Sequence, residues 1–201
     1  LTSGVPKTSI GQIGDYAVVT TNTNNPIYYK TYTNAWAYVG SSGWHTAHPV
    51  VQGTETDPVL TSGDTVLING TTVTLTGTTV SNAASRINAA NITGVTAYDN
   101  AGRLEIFADT TASSDGSTVD GGANVRAGNI GDLLGDVGIT PGIYYTPYFQ
   151  HSEHYNVPEW KSSDTYPRPS GSVWLKTTSA NSGADIVVKV YNSLTGQWTT
   201  V

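Results

Sequence analysis

Two distant segments of the chain carry the same order of short β-type runs, and this repetition constrains the fold more than any other feature. Residues 14–18 and 171–175 each begin with glycine and lead into strand-forming residues, and a polar turn follows in both segments. Residues 27–32 and 186–191 then match in length, with lysine and tyrosine at the same places. Since internal repetition indicates a duplicated structural unit, the two segments are predicted to fold alike.

Each copy closes on a short run that contains a tryptophan, Trp36 in the first and Trp198 in the second. Three β runs separated by turns rich in Asn, Gly and Ser are typical of an antiparallel meander. Because the two tryptophans recur at equivalent places, we expect both to be buried in a small core. Truncation of either side chain would then be strongly destabilising.

The segment between the copies begins with a hairpin pattern. Residues 65–68 and 72–75 contain regularly spaced apolar side chains on either side of Asn69-Gly70. Asn-Gly between such runs is the strongest short hairpin signal, because both residues accept the positive φ angles of a type I′ turn. The sequence therefore predicts two antiparallel strands joined at this dipeptide.

A helix, a second hairpin and a helical turn are predicted after the first hairpin. Residues 80–91 have apolar side chains at helical spacing, and Ser81 is the predicted N-cap. Residues 95–98 and 103–107 predict the second hairpin, with its turn at residues 99–102, and residues 129–134 predict one helical turn. The apolar face of the first helix consists of Val80, Ala83, Ala84, Ile87 and Ala90.

Composition agrees with a β-rich chain that carries few charges. Only 12% of the residues are charged, which is roughly half the usual fraction. The net charge is −6 and the nine Lys and Arg residues are scattered, so we expect no nucleic-acid binding. No apolar run approaches the roughly 18–20 residues of a membrane span, so we expect no membrane insertion. No residue pattern calls for a cofactor, and none is expected.

These patterns predict a mainly β fold with a small α+β insertion, in which two short β-meander units flank a ββαββ domain. The first β unit is assigned to residues 1–57 and the inserted α+β domain to residues 58–140. A Tyr- and Pro-rich connector is assigned to residues 141–167, since proline holds itself and its preceding residue in extended conformations. The second β unit covers residues 168–201.

The repeated pattern resembles the aromatic-ended β units of virion structural proteins of tailed, myovirus-like phages. Those units run Gly-Asp-x-(Trp/Tyr)-x-x-Thr-Thr, then a polar turn, a Leu/Ile-Tyr strand and a closing Trp. The second copy departs from this pattern, with Ser172 in place of Asp and Val187 in place of Tyr. The matching residues are Gly14, Asp15, Tyr16, Thr20, Thr21, Ile27, Tyr28 and Trp36 in the first copy, and Gly171, Trp174, Thr177, Thr178, Ile186 and Trp198 in the second.

The middle segment resembles an insertion domain of flagellar hook-associated and phage structural proteins. That domain has an Ile-Asn-Gly hairpin, an Ile-Asn-Ala helix, a Gly-Val-x-Ala strand and a Gly-Arg-Leu-x-Ile strand. The two resemblances together cover about two thirds of the chain. The matching segments are Ile68-Asn69-Gly70, Ile87-Asn88-Ala89, Gly94-Val95-Thr96-Ala97 and Gly102-Arg103-Leu104-Glu105-Ile106.

The resemblances imply a non-enzymatic structural or assembly module of a phage virion, of the tail, fibre or baseplate type. Its implied partners are other virion proteins or sister chains, in a homo-oligomer of the parent assembly. The alternative from another class is a carbohydrate-binding module for host recognition, on a virion or an extracellular or cell-surface adhesin, with a cell-surface glycan as ligand.

The four histidines form two pairs of identical spacing on either side of the middle segment: His45 with His48, and His151 with His154. Two such pairs supply the four ligands of a tetrahedral zinc site if the fold brings them together. The alternative is that they are turn or surface histidines next to aromatic residues, Trp44 for the first pair and Tyr155 for the second.

Three tyrosines are candidates for an exposed contact surface: Tyr144, Tyr145 and Tyr148. Tyrosine rings are enriched at protein–protein interfaces, and flat rings also stack on the apolar faces of sugars. The sequence leaves both partners open.

No catalytic motif is present, and we expect the chain not to be an enzyme. Pairs such as Asp132 with Asp136, or Glu153 with Glu159, are too unremarkable to indicate a glycosidase. The segment from Asp115 to Gly122 offers oxygen ligands for Ca²⁺, but its spacing is not that of an EF-hand loop and favours a plain loop.

Overall fold

The computed structural model describes residues 4–19, 25–152, 171–177, 186–192, 195 and 197–201. Strands predominate and the helices are few and short, so the predicted mainly β fold with a small helical part is confirmed. In chain order the elements are β1 (Tyr16–Val18), β2 (Ile27–Lys30), β3 (Trp36–Tyr38), α1 (Ser42–His45), β4 (Val51–Gln52), β5 (Thr65–Ile68), β6 (Thr71–Thr74), α2 (Val80–Ala89), β7 (Val95–Asn100), β8 (Arg103–Ala108), β9 (Gly122–Ala127), α3 (Leu133–Val137), β10 (Gly142–Tyr145), β11 (Phe149–Ser152), β12 (Val173–Thr177), β13 (Ile186–Asn192) and β14 (Gln197–Thr200).

The chain divides into two compact units. The duplicated unit consists of Leu1–His48 together with Pro147–Val201, and the insert is the continuous segment Pro49–Thr146. The predicted inserted domain, residues 58–140, lies within the insert. The insert begins earlier because β4 pairs with β8, and it ends later because β10 pairs with β9. Of the predicted connector at 141–167, residues 153–167 lie outside the described residues.

Each copy of the repeat forms a three-stranded antiparallel meander. The first sheet has the order β1-β2-β3, and the second has the order β11-β12-β13-β14, in which β11 pairs with β12 in parallel. Both copies start on a glycine of positive φ that bulges the first strand, Gly14 at 93° and Gly171 at 82°. In the first copy the Gly14 N–H donates to the Lys30 carbonyl (2.9 Å) and the Lys30 N–H donates to the Asp15 carbonyl (2.8 Å). In the second copy the equivalent bonds are Gly171 N–H to Tyr191 C=O (2.8 Å) and Tyr191 N–H to Ser172 C=O (3.0 Å). A third bond also has an equivalent: Val39 N–H to Ile27 C=O (2.9 Å) matches Val201 N–H to Val188 C=O (3.1 Å).

These bonds change the alignment of the middle strands. The sequence aligns Lys30 with Lys189. The hydrogen bonds instead make Lys30 structurally equivalent to Tyr191, which is two residues further along the second copy. A shift of two residues leaves every side chain on the same face of the sheet. The duplication therefore holds in the hydrogen bonds even though the residue-by-residue match of the middle strands was wrong.

The inward faces of both meanders contribute to one core in the duplicated unit. Ile27 and its equivalent Val188 are both buried there, and Val173 fills the place equivalent to Tyr16. Trp44 of α1 is fully buried in the same cluster. A short sheet is stabilised by burying one face, so neither meander has a complete core without the other.

The expected burial of the two closing tryptophans was wrong. Trp36 and Trp198 occupy equivalent positions, but both lie on the outer faces of their sheets and are only half-buried. Trp36 faces Lys30 across the strands, with the ammonium 5.0 Å from the ring centre, and Trp198 packs on Tyr191 with ring centres 5.3 Å apart. Trp44 is fully buried instead, among the tryptophans whose side chains the structure describes, and the repeat pattern does not contain it.

In the described residues, the insert has two antiparallel sheets and two helices, α2 and α3, around its own core. One sheet has the order β10-β9-β5-β6 and the other has the order β4-β8-β7. Helix α2 packs on β7 and β8 through the predicted apolar face, whose members Val80, Ala83, Ala84 and Ile87 are buried. The β5–β6 hairpin turns at Asn69 and Gly70 with φ angles of 48° and 78°, which confirms the predicted type I′ geometry.

Several local predictions in the insert need correction. The N-cap of α2 is Thr79, not Ser81, because Asn82 at the third helical position completes a reciprocal capping box with it. The second hairpin is tighter than predicted, since Asn100 pairs with Arg103 and only two residues turn. The final helix spans Leu133–Val137 instead of 129–134.

The predicted ββαββ order is incomplete, because the described insert also contains β4, β9 and β10. Strand β9 lies in the middle of its sheet, between β10 and β5. Its apolar residues Ala123, Val125 and Ala127 alternate with Asn124 and Arg126, but alanine and asparagine are depleted in strands, so the pattern is a weak strand signal.

Candidate functional site

The first histidine pair lies in the aromatic core of the duplicated unit. His45 ends α1 and its ring lies 5.0 Å from that of Trp44. The His48 ring packs between Tyr29, at 4.9 Å, and Trp44, at 6.1 Å. Gly171 contacts the His48 ring so closely that a Cβ at this position would collide with it. These contacts correspond to the alternative in which the histidines pack beside aromatic residues.

The second pair does not add a described ligand. His151 lies on β11 opposite Leu175, with only its backbone described, and His154 lies outside the described residues. Within the side chains that the structure describes, no three His, Asp or Glu residues come together as a metal-binding group. The four-histidine zinc site therefore stays a prediction.

The three candidate tyrosines lie in different surroundings. Tyr144 packs against the insert core and its hydroxyl donates to the Thr140 carbonyl, while burial raises its pKa. Tyr145 is the next residue of β10 and therefore points to the opposite face, where its ring packs over Gly122. Tyr148 belongs to the duplicated unit, where its carbonyl accepts from the Val173 N–H at 3.2 Å. All three are half-buried, so their role as an exposed contact surface stays a prediction.

The aspartates between β8 and β9 are bonded to their own loop. Asp115 accepts from the N–H groups of Ser117 (2.8 Å) and Thr118 (3.0 Å) and from hydroxyls. These bonds, with that of Thr118 first, hold the pKa of Asp115 well below its usual range. Asp120 likewise accepts from the Ser114 and Gly122 N–H groups, both at 2.9 Å. Carboxylates used in this way specify the shape of a loop.

A buried carboxylate in the insert was missed by sequence reasoning. Glu105 on β8 is 4% exposed, and its Oε1 accepts from Gln52 Nε2 at 2.7 Å and Asn100 Nδ2 at 3.0 Å. Burial raises the pKa of Glu105, and the bonds from Asn100 and Gln52 oppose the rise. The carboxylate joins Gln52 of β4 to Asn100 at the end of β7, and these two strands are distant in sequence. No local pattern reveals such a partner set.

The two asparagines of the insert motifs each bond to the backbone of a neighbouring strand. Asn88 Nδ2 donates to the Ala97 carbonyl and its Oδ1 accepts from the Ala97 N–H, both at 2.8 Å. Asn69 does the same to β9, donating to the Gly122 carbonyl at 3.0 Å and accepting from the Asn124 N–H at 2.7 Å. Each side-chain amide thus takes the place of a strand backbone and closes part of a strand edge.

Aromatic side chains lie on the outer face of the first meander. Tyr28 and Tyr38 face each other across β2 and β3, with ring centres 5.8 Å apart in an edge-on arrangement, and Tyr38 is 50% exposed. On the same face the buried Lys30 ammonium donates to the carbonyls of Thr8 and Ile10. The segment before β1 is thereby fixed to this face. The repeat pattern included Tyr28 and Lys30 but made no prediction of this outer aromatic pair.

No protein-family model matches the chain, and a comparison with curated proteins finds no match. None of the helices in the described ranges is long and apolar enough to cross a membrane.

Proposed function

We propose that the chain is a non-enzymatic structural and assembly module of a tailed-phage virion, from a tail, fibre or baseplate protein. Its partners are other virion proteins or sister chains, with which it forms an oligomer in the parent particle. The proposal starts from the resemblance of its repeats and insert motifs to such proteins, and it places the chain in the virion.

One observation carries the structural role. The polar residues of the insert motifs, Asn69 and Asn88, are bonded to the backbone of their own unit, and Glu105 is buried between side-chain amides. Residues that are conspicuous in the motifs thus hold strands in place. A segment whose polar groups are used in this way serves to present a shape, which is what a spacer or connector in a filament requires.

The duplicated meander supports the same proposal. Two β units of equal hydrogen-bond pattern share one core, and the insert interrupts the sequence between them as a separate compact unit. Such repetition builds extended architectures from one structural solution. Low charge density also leaves strand edges open to pairing with neighbouring chains.

The test is chemical cross-linking of intact virions that contain the parent protein, followed by mass spectrometry. We expect cross-links between this segment and other virion proteins or sister copies. Light scattering of the purified chain over a concentration series should show that its mean mass rises with concentration. A specific contact of this kind is expected to bury on the order of 1,000 Å². Glycan hydrolysis by the purified chain that one carboxylate substitution abolishes would overturn the proposal.

A second candidate is glycan binding, and the outer face of the first meander favours it. Tyr28 and Tyr38 present an edge-on pair of rings of the kind on which sugar faces stack. Tyr38→Ala should abolish binding to a glycan array, because half of the side chain is exposed, while stability changes little. Tyr98→Ala in the insert is the matched control. If no glycan binds the native chain, this candidate is wrong.

A further inference from the structure

The two copies of the repeat differ at one edge. In the second copy, β11 runs parallel to β12 along its outer edge, with Phe149 opposite Val173. The Val173 N–H donates to the Tyr148 carbonyl at 3.2 Å, and Val173 is only 1% exposed. This edge of the second sheet is therefore covered by a strand from the same chain.

The first copy presents the equivalent edge on β1. The bulge at Gly14 and the bond from Val19 N–H to the Pro26 carbonyl fix which residues of β1 face β2. Since these alternate along an antiparallel ladder, the N–H and C=O groups of Tyr16 and Val18 point away from β2. Tyr16 is equivalent to Val173, the residue that β11 covers.

Within the described ranges, no strand pairs with this edge of β1, and its residues are half-exposed. Strand β1 has the sequence Tyr-Ala-Val, so it carries neither the charge nor the proline that protects exposed edges. An edge of this kind binds an extended chain through its backbone groups.

We propose that the outer edge of β1 binds an extended segment of a neighbouring polypeptide, which pairs parallel to β1 as β11 pairs with β12. The occupant is an uncharged strand with an aromatic residue at the position of Phe149. In the second copy that ring packs on the core cluster and on Gly40. The inference deepens the assembly function and rests on it for the source of the strand.

The test uses the full chain and a blocked peptide with the sequence of residues 147–152 at millimolar concentration. Hydrogen exchange of the Tyr16 and Val18 amides is measured with and without the peptide. We expect fast exchange in the free chain and at least tenfold slower exchange with the peptide bound. N-methylation of the peptide at Gln150, whose N–H faces the paired strand, should abolish the protection. N-methylation at His151, whose N–H faces away, should preserve it.

A chain variant provides the second arm. Val18→Pro removes an outward N–H, and proline is tolerated on an edge strand, so we expect a folded chain that the peptide no longer protects at Tyr16. The inference is overturned if the Tyr16 and Val18 amides already exchange slowly in the free chain. It is also overturned if the peptide protects only Val173 and Leu175, or protects no amide. Cross-links to virion neighbours without protection at β1 would leave the assembly function standing and reject this edge as the contact.

Discussion

Asn88 offers the sharpest test of how the insert is stabilised. Its side-chain amide satisfies both the N–H and the C=O of Ala97, a residue with no exposed surface on the edge strand β7. Asn88→Ala leaves both groups without these partners, at about 1–3 kcal/mol each when they are buried. Asn88 itself is at an exposed position, so water reaches the vacated site and the lower end of that range applies.

The expected loss is therefore about 1.5 kcal/mol, which is about 1 kcal/mol for each of the two groups less a helix-propensity gain of about 0.5 kcal/mol for alanine. For a unit of this size that corresponds to a fall of roughly 10 °C in melting temperature. The second expected effect is aggregation, because the middle of the β7 edge becomes available for pairing.

The chain offers a built-in way to assign the loss to one unit. All five tryptophans lie in the duplicated unit, so tryptophan fluorescence follows that unit alone, while calorimetry and circular dichroism also follow the insert. Asn88→Ala should move the calorimetric transition of the insert and leave the fluorescence transition unchanged. Ser85→Ala, at an exposed position of the same helix, is the control. Equal melting temperatures of the insert in the two variants would refute the stabilising role of the bonds between Asn88 and Ala97.

Three further predictions follow from the same structure. Because burial raises the pKa of Glu105, the native insert binds an extra proton at pH values between the unfolded and folded pKa of this group. The free energy of unfolding of the insert should therefore fall as pH rises through that range, by about 1.4 kcal/mol per unit of difference between the two pKa values. Calorimetry between pH 4 and 8 should show this slope, and Glu105→Gln should remove it. Because the pKa of Asp115 is lowered, stability has the opposite pH dependence at this loop: the bonds to Asp115 are present above its unfolded pKa and are lost as pH falls through its folded pKa. The Ser117 and Thr118 amides should therefore lose their protection from hydrogen exchange in acid, and Asp115→Asn should abolish that pH dependence. Gly171→Ala should destabilise the duplicated unit by roughly 1–3 kcal/mol more than Gly14→Ala, because both glycines have positive φ but only a Cβ at Gly171 meets the His48 ring. Equal melting temperatures of the two variants by tryptophan fluorescence would contradict this packing.

The features that sequence predicted are those fixed by near neighbours. The Asn69-Gly70 turn and the apolar face of α2 depend on residues within one or two turns of each other, and both are present. Strand β9 was missed because its partner β5 lies far away in the sequence and its alternating apolar residues are mostly alanine, which is a weak strand former.

The repeat shows a different limit. The true register differs from the aligned one by two residues, and a period of two makes these registers indistinguishable by side-chain pattern. Which face of the meander is buried was also undetermined, because Trp36 on one face and Tyr29 on the other are both large and aromatic. Only the packing of the second copy against the first selects the Tyr29 face.

The interruption of the duplicated unit by the insert sets an order of folding. The chain leaves this unit after His48 and returns at Pro147, so its core requires closure of a loop of about 100 residues, at about 4 kcal/mol of chain entropy if that loop is disordered. A folded insert replaces the disordered loop by a body with fixed ends. We therefore expect the insert to fold first during synthesis, and the two half-units to remain incomplete until the last sixth of the chain has emerged.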